Sequence, residues 1–450
     1  MPRPGNSNRR ANGGDGSGDE CAVVIGLDCI TGLQTARILH ARGISVTGVA
    51  SDPSHFCCRT GVVREVVGAN TESEELIGAL NRLASRLPER AVLVPCTDAS
   101  VLQIARGRER LDERFRIVLP DTEVLLTLQD KIRFVRFAES IGLPVPQTFL
   151  LRSTDDVRTA AAALRFPCML KPTVRTERWQ RSSPAKVYRA ASREELIELH
   201  ARCSEWAEEL IVQEWIEGGD SELFSCNCYL DRDSVPQVSF IARKLRQWPP
   251  RIGVSCLGEE CRNDEVLDFA HRLFRAAGYQ GLAYLEVKRD SGTGRHYLIE
   301  ANLGRPTGRS AIAEAGGVDL LLTMYRDTLG EPLPTTRSQR YTGAKWIFWR
   351  QDLRSALHYW RNGELSVTDW IRSIRGRKAC AVLSWADPAP FLWDLTTSLM
   401  RVLAPSRGAS ASTDPGESGS LAARTAESPV PAEPAPSAIA DVTGTVVNSP

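Results

Sequence analysis

Apolar residues at the start of the chain fall in short unbroken runs. Ala22-Val23-Val24-Ile25-Gly26 is one, ending in glycine, the pattern of a strand covered on both faces. From Thr31 to Arg42 the apolar spacing becomes helical, and Ile44 to Ala50 returns to a strand. A helix over Glu72 to Leu87 and strands at Ala91 to Val94 and Arg116 to Leu119 continue the alternation. Residues 21–120 therefore read as a Rossmann-like α/β unit. Beyond Asp121 the pattern turns α+β: a helix from Asp130 to Ile141, a turn at Gly142-Leu143-Pro144, then β-branched strands between longer helices. One of those helices opens with the capping-box pattern Ser192-Arg193-Glu194-Glu195. From Tyr341 to Leu403 the chain is Trp-rich and expected to be mainly helical, with Trp346, Trp349, Trp360, Trp370, Trp385 and Trp393 as candidate anchors. Phe391 to Leu403 has an amphipathic pattern, expected to pack on the protein itself rather than on a partner or membrane surface. No repeat of solenoid period is present.

Composition narrows the class. With 450 residues, 42% of them hydrophobic, the chain can bury two or three cores. Residues 1–20 and 405–450 are Gly-rich or Ala/Ser/Pro-rich and are expected to be disordered. Lys plus Arg number 56 against 55 Asp plus Glu, so no net field draws the chain to nucleic acid. The sequence has no run of spanning length and no secretory leader, which makes the cytoplasm the expected compartment. The twelve cysteines lack the paired CxxC spacing of a zinc site and read as buried, reduced thiols.

Neither GxxxxGK[ST] nor GxGxxG occurs. The first loop reads Gly26-Leu27-Asp28-Cys29-Ile30-Thr31-Gly32, which argues against a nicotinamide oxidoreductase. In place of these fingerprints, single lysines and carboxylates stand where strands end or helices begin. Lys131 opens an amphipathic helix and Lys171 ends the strand Cys168-Met169-Leu170-Lys171; each alone is an ordinary surface lysine, and together they suit a polyphosphate. The run Leu210 to Asp220 passes from apolar residues to glycines and an acid. Its backbone near Gln213, Glu214 and Ile216 suits an adenine edge and Asp220 suits ribose hydroxyls, although a plain turn explains the glycines equally well.

The strand Leu282 to Lys288, the turn Asp290 to Gly294 and the strand His296 to Asn302 form a hairpin pattern. Glu300 and Asn302, two apart, share a face, and Glu286 can lie opposite. Two carboxylates and a carboxamide suit a hard octahedral ion such as Mg²⁺ rather than zinc. A solvated hairpin does not explain acids set among Leu285, Leu298 and Ile299. The basic stretch Arg243 to Arg251, which includes Lys244, suits phosphates or a carboxylate. Arg305 and Arg309 follow the second strand, placed either to stabilise an oxyanion or to pair with acids.

Taken in order, Lys131, Lys171, Gln213 to Asp220, Lys244, Glu286, Glu300 and Asn302 resemble the ATP-grasp superfamily. Within it they are most similar to the carboxylate-amine ligase branch of D-aspartate ligase-like and carbamoyl-phosphate-synthase-like proteins. The similarity covers residues 21–335. It implies a Rossmann-like pre-ATP-grasp domain over 21–120 and an ATP-grasp domain of two α+β lobes over 121–335, with ATP between the lobes. A helical extension then covers 336–404. By position, Lys131 and Lys171 match phosphate lysines, Gln213, Glu214 and Ile216 the adenine hinge, and Asp220 the ribose acid. Glu286, Glu300 and Asn302 match metal ligands, while Lys244, Arg305 and Arg309 match catalytic cations near the γ-phosphate. The implied reaction is Mg²⁺·ATP-dependent amide formation through an acylphosphate, with Mn²⁺ as a substitute ion and a small carboxylate and amine as partners; a homo-oligomer is left open. Two alternatives stay open: a nucleotide-binding regulator without turnover, and a ligase for a peptide or protein. Two departures stand out. The family's small Gly-rich phosphate loop corresponds here to the bulky, glycine-free 173–183, and its Asn-Pro-Arg corresponds to Asn302-Leu303-Gly304-Arg305, which shifts the arginine by one residue.

Overall fold

The computed structural model describes residues 21–403 apart from 88, 89, 112, 175, 184, 186 and 309; the two terminal segments expected to be disordered lie outside the described residues. Five parallel strands, β1 (Cys21–Ile25), β2 (Ser45–Ala50), β3 (Val66–Gly68), β4 (Ala91–Pro95) and β5 (Phe115–Arg116), lie in the order β3-β2-β1-β4-β5. All five residues of β1 are buried because helices cover both faces. On one face α1 (Ile30–Ala41) shares a core with Ala22 and Val24; on the other, α2 (Glu75–Ala84) and α3 (Asp98–Arg106) share one with Val23 and Ile25. The strand expected over 116–119 ends early. Val118 and Leu119 leave the sheet and lie against Gly281 and Gly304, where added Cβ atoms would sit 2.9 Å from the Val118 oxygen and 2.4 Å from a Leu119 methyl.

After α4 (Thr122–Gln129), the side chain of Asp130 accepts hydrogen bonds from the amides of Ile132 and Arg133 and so starts α5 (Lys131–Ser140). An antiparallel sheet follows in the order β6-β9-β7-β8, built from β6 (Thr148–Leu151), β7 (Cys168–Pro172), β8 (Tyr188–Ala190) and β9 (Leu210–Glu214). Its helices are α6 (Thr154–Ala163), α7 (Glu177–Ser182) and α8 (Arg193–Cys203). This small sheet has an apolar core of its own. In β7 burial alternates, so Cys168 and Leu170 point into that core and Lys171 points the other way.

The large sheet has the order β14-β13-β10-β11-β12-β15-β16. Its strands are β10 (Leu223–Leu230), β11 (Pro236–Trp248), β12 (Val254–Glu260), β13 (Gly281–Arg289), β14 (His296–Leu303), β15 (Lys345–Ile347) and β16 (Lys378–Cys380). The helices of this part are α9 (Asp264–Ala276), α10 (Ser310–Ala315), α11 (Leu320–Leu329), α12 (Trp349–Arg361), α13 (Val367–Ser373) and α14 (Ala389–Leu403). The region after 341, expected to be mainly helical, thus also supplies two strands. β10 is central and buried along its whole length; Phe224, Cys226, Cys228 and Leu230 share a core with α9, while Tyr229 packs with α11. Two apolar cores run from the parallel sheet into the large sheet without a break. Polar locks add to them: Arg37 donates to Asp387 at 2.8 Å and to the Val382 oxygen at 2.7 Å, and Thr60 donates to Asp387 at 2.5 Å. Those donors outweigh burial and hold the Asp387 carboxyl below its ordinary range.

The candidate tryptophan anchors divide. Trp346 is buried and donates to Gln34 Oε1 at 3.2 Å, and Trp370 donates to Asp352 at 3.0 Å. Trp349, Trp360, Trp385 and Trp393 are exposed. No described helix is long and apolar enough to cross a membrane.

Candidate active site

The hairpin of β13 and β14 closes through Asp290, whose side chain accepts from the amides of Gly292 and Thr293. Its register sets Glu286 directly opposite Glu300, and Tyr284 opposite Asn302. These four residues, with Lys244 from β11 and Arg305, line a cavity of about 250 Å³. Ile30 and Thr31 from the first turn of α1 and Trp346 and Phe348 from the extension line it as well. Gly253 also lines it. A Cβ there would lie 2.0 Å from the carbonyl carbon of Trp248, so only glycine lets the chain fold back this closely.

Glu286 is buried, with the Lys244 ammonium 3.0 Å from both its oxygens and the Tyr284 hydroxyl donating at 2.9 Å. Glu300 is open to solvent yet ringed by protein at longer range, the situation of a cleft floor. Burial, then repulsion from Glu286, raises its pKa, against the pull of Lys244 and Lys171. Asn302 Oδ1 accepts from Arg305 at 2.5 Å, and the same guanidinium donates to Asp98 at 2.5 and 3.2 Å, tying the cleft to the start of α3. Gly304, at φ +67°, makes the turn that brings Arg305 there.

From the small sheet, Lys171 comes within electrostatic reach of Glu300. Lys171 donates to Gln213 Oε1 at 3.2 Å and Lys131 to the Thr173 oxygen at 2.7 Å. Burial, and then the neighbouring Lys131, lower the Lys171 pKa to about 8, with Glu300 opposing the fall. Lys171 therefore sits within electrostatic reach of both Lys131 and Glu300.

Several expected placements are corrected. Asp220 is buried and every lone pair is engaged: Oδ1 accepts from Gln247 Nε2 at 2.7 Å and the Arg251 amide at 3.2 Å, Oδ2 from the Gln247 amide at 3.0 Å and Tyr359 at 2.8 Å. That leaves no acceptor for ribose. In the basic stretch only Lys244 faces the cavity; Arg243 pairs with Glu259, Arg246 with buried Asp352, and Arg251 with Glu364. Gln213 is buried, donates to Thr148 at 2.9 Å and positions Lys171. The Glu214 and Trp215 amides donate to the Gln147 and Pro167 oxygens, with Ile216 buried beside them. Arg309 lies outside the described residues. Within the segment 173–183, Glu177–Ser182 form α7, and Trp179 is buried in the core of the small sheet.

Lys288 was not singled out in the sequence, though its spacing of two from Glu286 puts it on the same face. It lies 5.4 Å from the Trp215 ring at the end of β9, and burial lowers its pKa.

The fold as a whole is similar to that of known enzymes. Biotin carboxylase from Campylobacter jejuni superposes with a TM-score of 0.58 at 14% identity, covering 72% of this chain and 74% of that one. N5-carboxyaminoimidazole synthetase from Staphylococcus aureus gives 0.55 at 16%, over 71% and 80%. The chain has the ATP-grasp fold. In sequence, the chain is 26% identical over 260 residues to D-aspartate ligase of Enterococcus faecium, covering 55% of this chain and 61% of that protein. It is 25% identical over 220 residues to D-alanine–D-alanine ligase of Pseudomonas entomophila, covering 44% and 64%. The chain thus spans about three fifths of the length of these curated relatives. No family model matches it.

Proposed function

We propose that the protein is an ATP-dependent carboxylate-amine ligase. The observation that carries this reading is the proximity of Lys171, itself beside Lys131, to Glu300 on the floor, next to Glu286 and Asn302. Burial, and then repulsion from Glu286 in register with it, disfavour the Glu300 charge; a hard divalent cation offsets both, and oxygen donors are the ligands it takes. Glu286, Glu300 and Asn302 would hold Mg²⁺, or Mn²⁺ in its place. Such an ion, when bound, supplies charge neutralisation on the phosphates.

Lys131 and Lys171 neutralise the polyphosphate from the opposite side, and the backbone of residues 213–216 borders the adenine. Lys244 holds Glu286 in place, and Arg305, fixed by Asp98, fixes Asn302 in turn. A substrate carboxylate lying between this floor and the α1 end of the cavity attacks the γ-phosphate, and ADP leaves. An amine then attacks the acyl carbon of the acylphosphate, phosphate leaves, and the amide forms. Phosphoryl transfer needs positioning and charge neutralisation more than a protein nucleophile, which matches a site of lysines, carboxylates and one arginine. The similarity to D-aspartate and D-alanine–D-alanine ligases points to amino acids or small peptides as substrates. In this reading residues 21–120 are a Rossmann-like pre-ATP-grasp domain, 121–335 the two ATP-grasp lobes and 336–404 an extension, in a cytoplasmic enzyme.

The test is ADP release by purified protein with Mg²⁺·ATP across a panel of amino acids and dipeptides. The expected result is release that requires both a carboxylate and an amine. ATP binding with no release above background across the panel overturns the ligase and leaves a regulatory nucleotide binder.

A further inference from the structure

The extension carries a surface that the cleft does not use. All four exposed tryptophans among the described residues lie between 349 and 393. Along α12, Trp349, Leu353, Leu357 and Trp360 recur at intervals of four, four and three, which places them on one stripe of the helix. Leu353 is 58% and Trp360 54% exposed. The buried face of the same helix, Gln351, Asp352, Ser355 and Ala356, packs inward, so the apolar stripe is additional to the core contact. Val367 and Ile371, one turn apart on α13, are exposed as well. On α14, Leu392, Leu395 and Met400 are exposed, while Asp394 turns in to Arg350. The three helices adjoin: Trp370 of α13 donates to Asp352 of α12, and Arg350 of α12 donates to Ser398 of α14. Trp385, between β16 and α14, is 90% exposed. The expectation that 391–403 packs on the protein is thus met on only one side of its helix.

The charge of this region supplies the second observation. Residues 345–401 contain nine Lys and Arg against five Asp and Glu, in a chain whose net charge is +1. Each of the five acids already has a basic partner: Asp352 with Arg246, Asp387 with Arg37, Asp394 with Arg350, Asp369 with Arg372 and Glu364 with Arg251. Arg354, Arg361, Arg375 and Arg377 are exposed, and no ion pair to them occurs among the described residues. On α12, Arg350, Arg354 and Arg361 form a stripe beside the apolar one.

We propose that the face formed by α12, α13 and α14 docks on an anionic lipid bilayer surface, an inference independent of the ligase reading. Helices that lie in a bilayer interface carry Trp and Leu on one stripe and Arg on the next, which is the arrangement of α12. The unpaired arginines match the charge of anionic headgroups. The apolar side chains project from convex helices, as a fluid surface tolerates; a protein partner of equal affinity needs pockets for its anchors. None of the helices is long and apolar enough to span, so the contact is peripheral.

The test is co-sedimentation of the full chain with vesicles of phosphatidylcholine alone and with vesicles containing about a third phosphatidylglycerol. Binding to the anionic vesicles about tenfold above the neutral ones, weakened by salt, is expected. The double variant Arg354→Glu/Arg361→Glu loses that binding, and Leu353→Ser/Trp360→Ser weakens it, both with unchanged circular dichroism and melting temperature. Failure of the full chain to sediment with either vesicle overturns the proposal, as does undiminished binding by the charge-reversed variant. Self-association that is abolished by Leu353→Ser/Trp360→Ser, without lipid binding, also overturns it and makes the face an interface between copies.

Discussion

Tyr359 donates its hydroxyl to Asp220 Oδ2 at 2.8 Å, joining α12 of the extension to the turn that follows β9. The contact closes the last acceptor position on a carboxylate already bonded to Gln247 and to the Arg251 amide. Asp220 therefore acts on the fold. Asp220→Ala orphans four donors, two of them on buried Gln247, and should cost about 3 kcal/mol in urea unfolding. ATP affinity of the folded variant should stay near that of the parent. A variant of unchanged stability that binds ATP about tenfold more weakly, or about 1.4 kcal/mol, returns Asp220 to the nucleotide.

Glu300→Gln separates the electrostatics of the floor from its chemistry. Burial and Glu286 raise the folded pKa of Glu300 above its unfolded value, so its ionised form opposes folding. That penalty is absent at low pH and grows as pH rises past the ordinary carboxylate range. Removing the charge should therefore raise the melting temperature of the metal-free protein at neutral pH. It should also abolish the further rise produced by Mg²⁺ and cut ADP release by about 100-fold or more. A Mg²⁺-dependent rise as large in the variant as in the parent counts against the metal assignment.

The cleft floor was legible because its logic is local. A period of two puts Glu300 and Asn302 on one face, and the hairpin turn brings Glu286 alongside; that Glu286 stands opposite Glu300 rather than Ile299 depends on a bulge between Val287 and Glu286 that no local pattern announces. Lys171 was legible as a polar residue ending an apolar strand. Asp220 misled because its four donors come from residues 247, 251 and 359, which no window around 220 contains. The basic stretch misled for the same reason: Arg246 is spent on Asp352, 106 residues away. In the extension, β15 and β16 are three residues each, too short for periodicity; β15 adds to the edge of β12, and β16 then adds to β15.

Lys171 should give ATP binding a distinctive pH dependence. Its pKa falls from an ordinary 10.5 to about 8 in the folded chain. Between those values the unfolded chain holds more protons, so stability rises with pH across that window; below about 8 the cost of the buried charge is fully present. Phosphates brought beside the ammonium favour its charged form. ATP binding near pH 8 to 9 should therefore take up a proton, seen in calorimetry as a heat that varies with the ionisation enthalpy of the buffer, and affinity should fall as pH rises through that range. Lys171→Met should weaken binding at pH 7 and flatten both effects. Proton uptake of equal size in Lys171→Met assigns the titration to another group.

Trp179 decides whether the segment after β7 behaves as a mobile cover. Its ring is fully buried, with Nε1 donating to the Ala185 oxygen at 3.1 Å and T-shaped contacts to Tyr188 and Trp206 at centroid distances of 6.1 and 5.9 Å. Thr176 caps α7 by accepting from the Trp179 amide at 3.2 Å, so the anchor and the helix start are one unit. A small Gly-rich loop can close over phosphates by backbone motion, whereas this segment must first extract an indole from a core. Trp179→Ala should cost about 3 to 5 kcal/mol, concentrated in the small lobe, and Trp179→Phe clearly less. Amide exchange across 177–182 should be slow in the parent and fast in the alanine variant. ATP should slow it little in the parent, because the helix is ordered before the nucleotide arrives. Exchange in the parent as fast as in unstructured chain, with strong protection on adding ATP, removes the anchor and restores a closing loop.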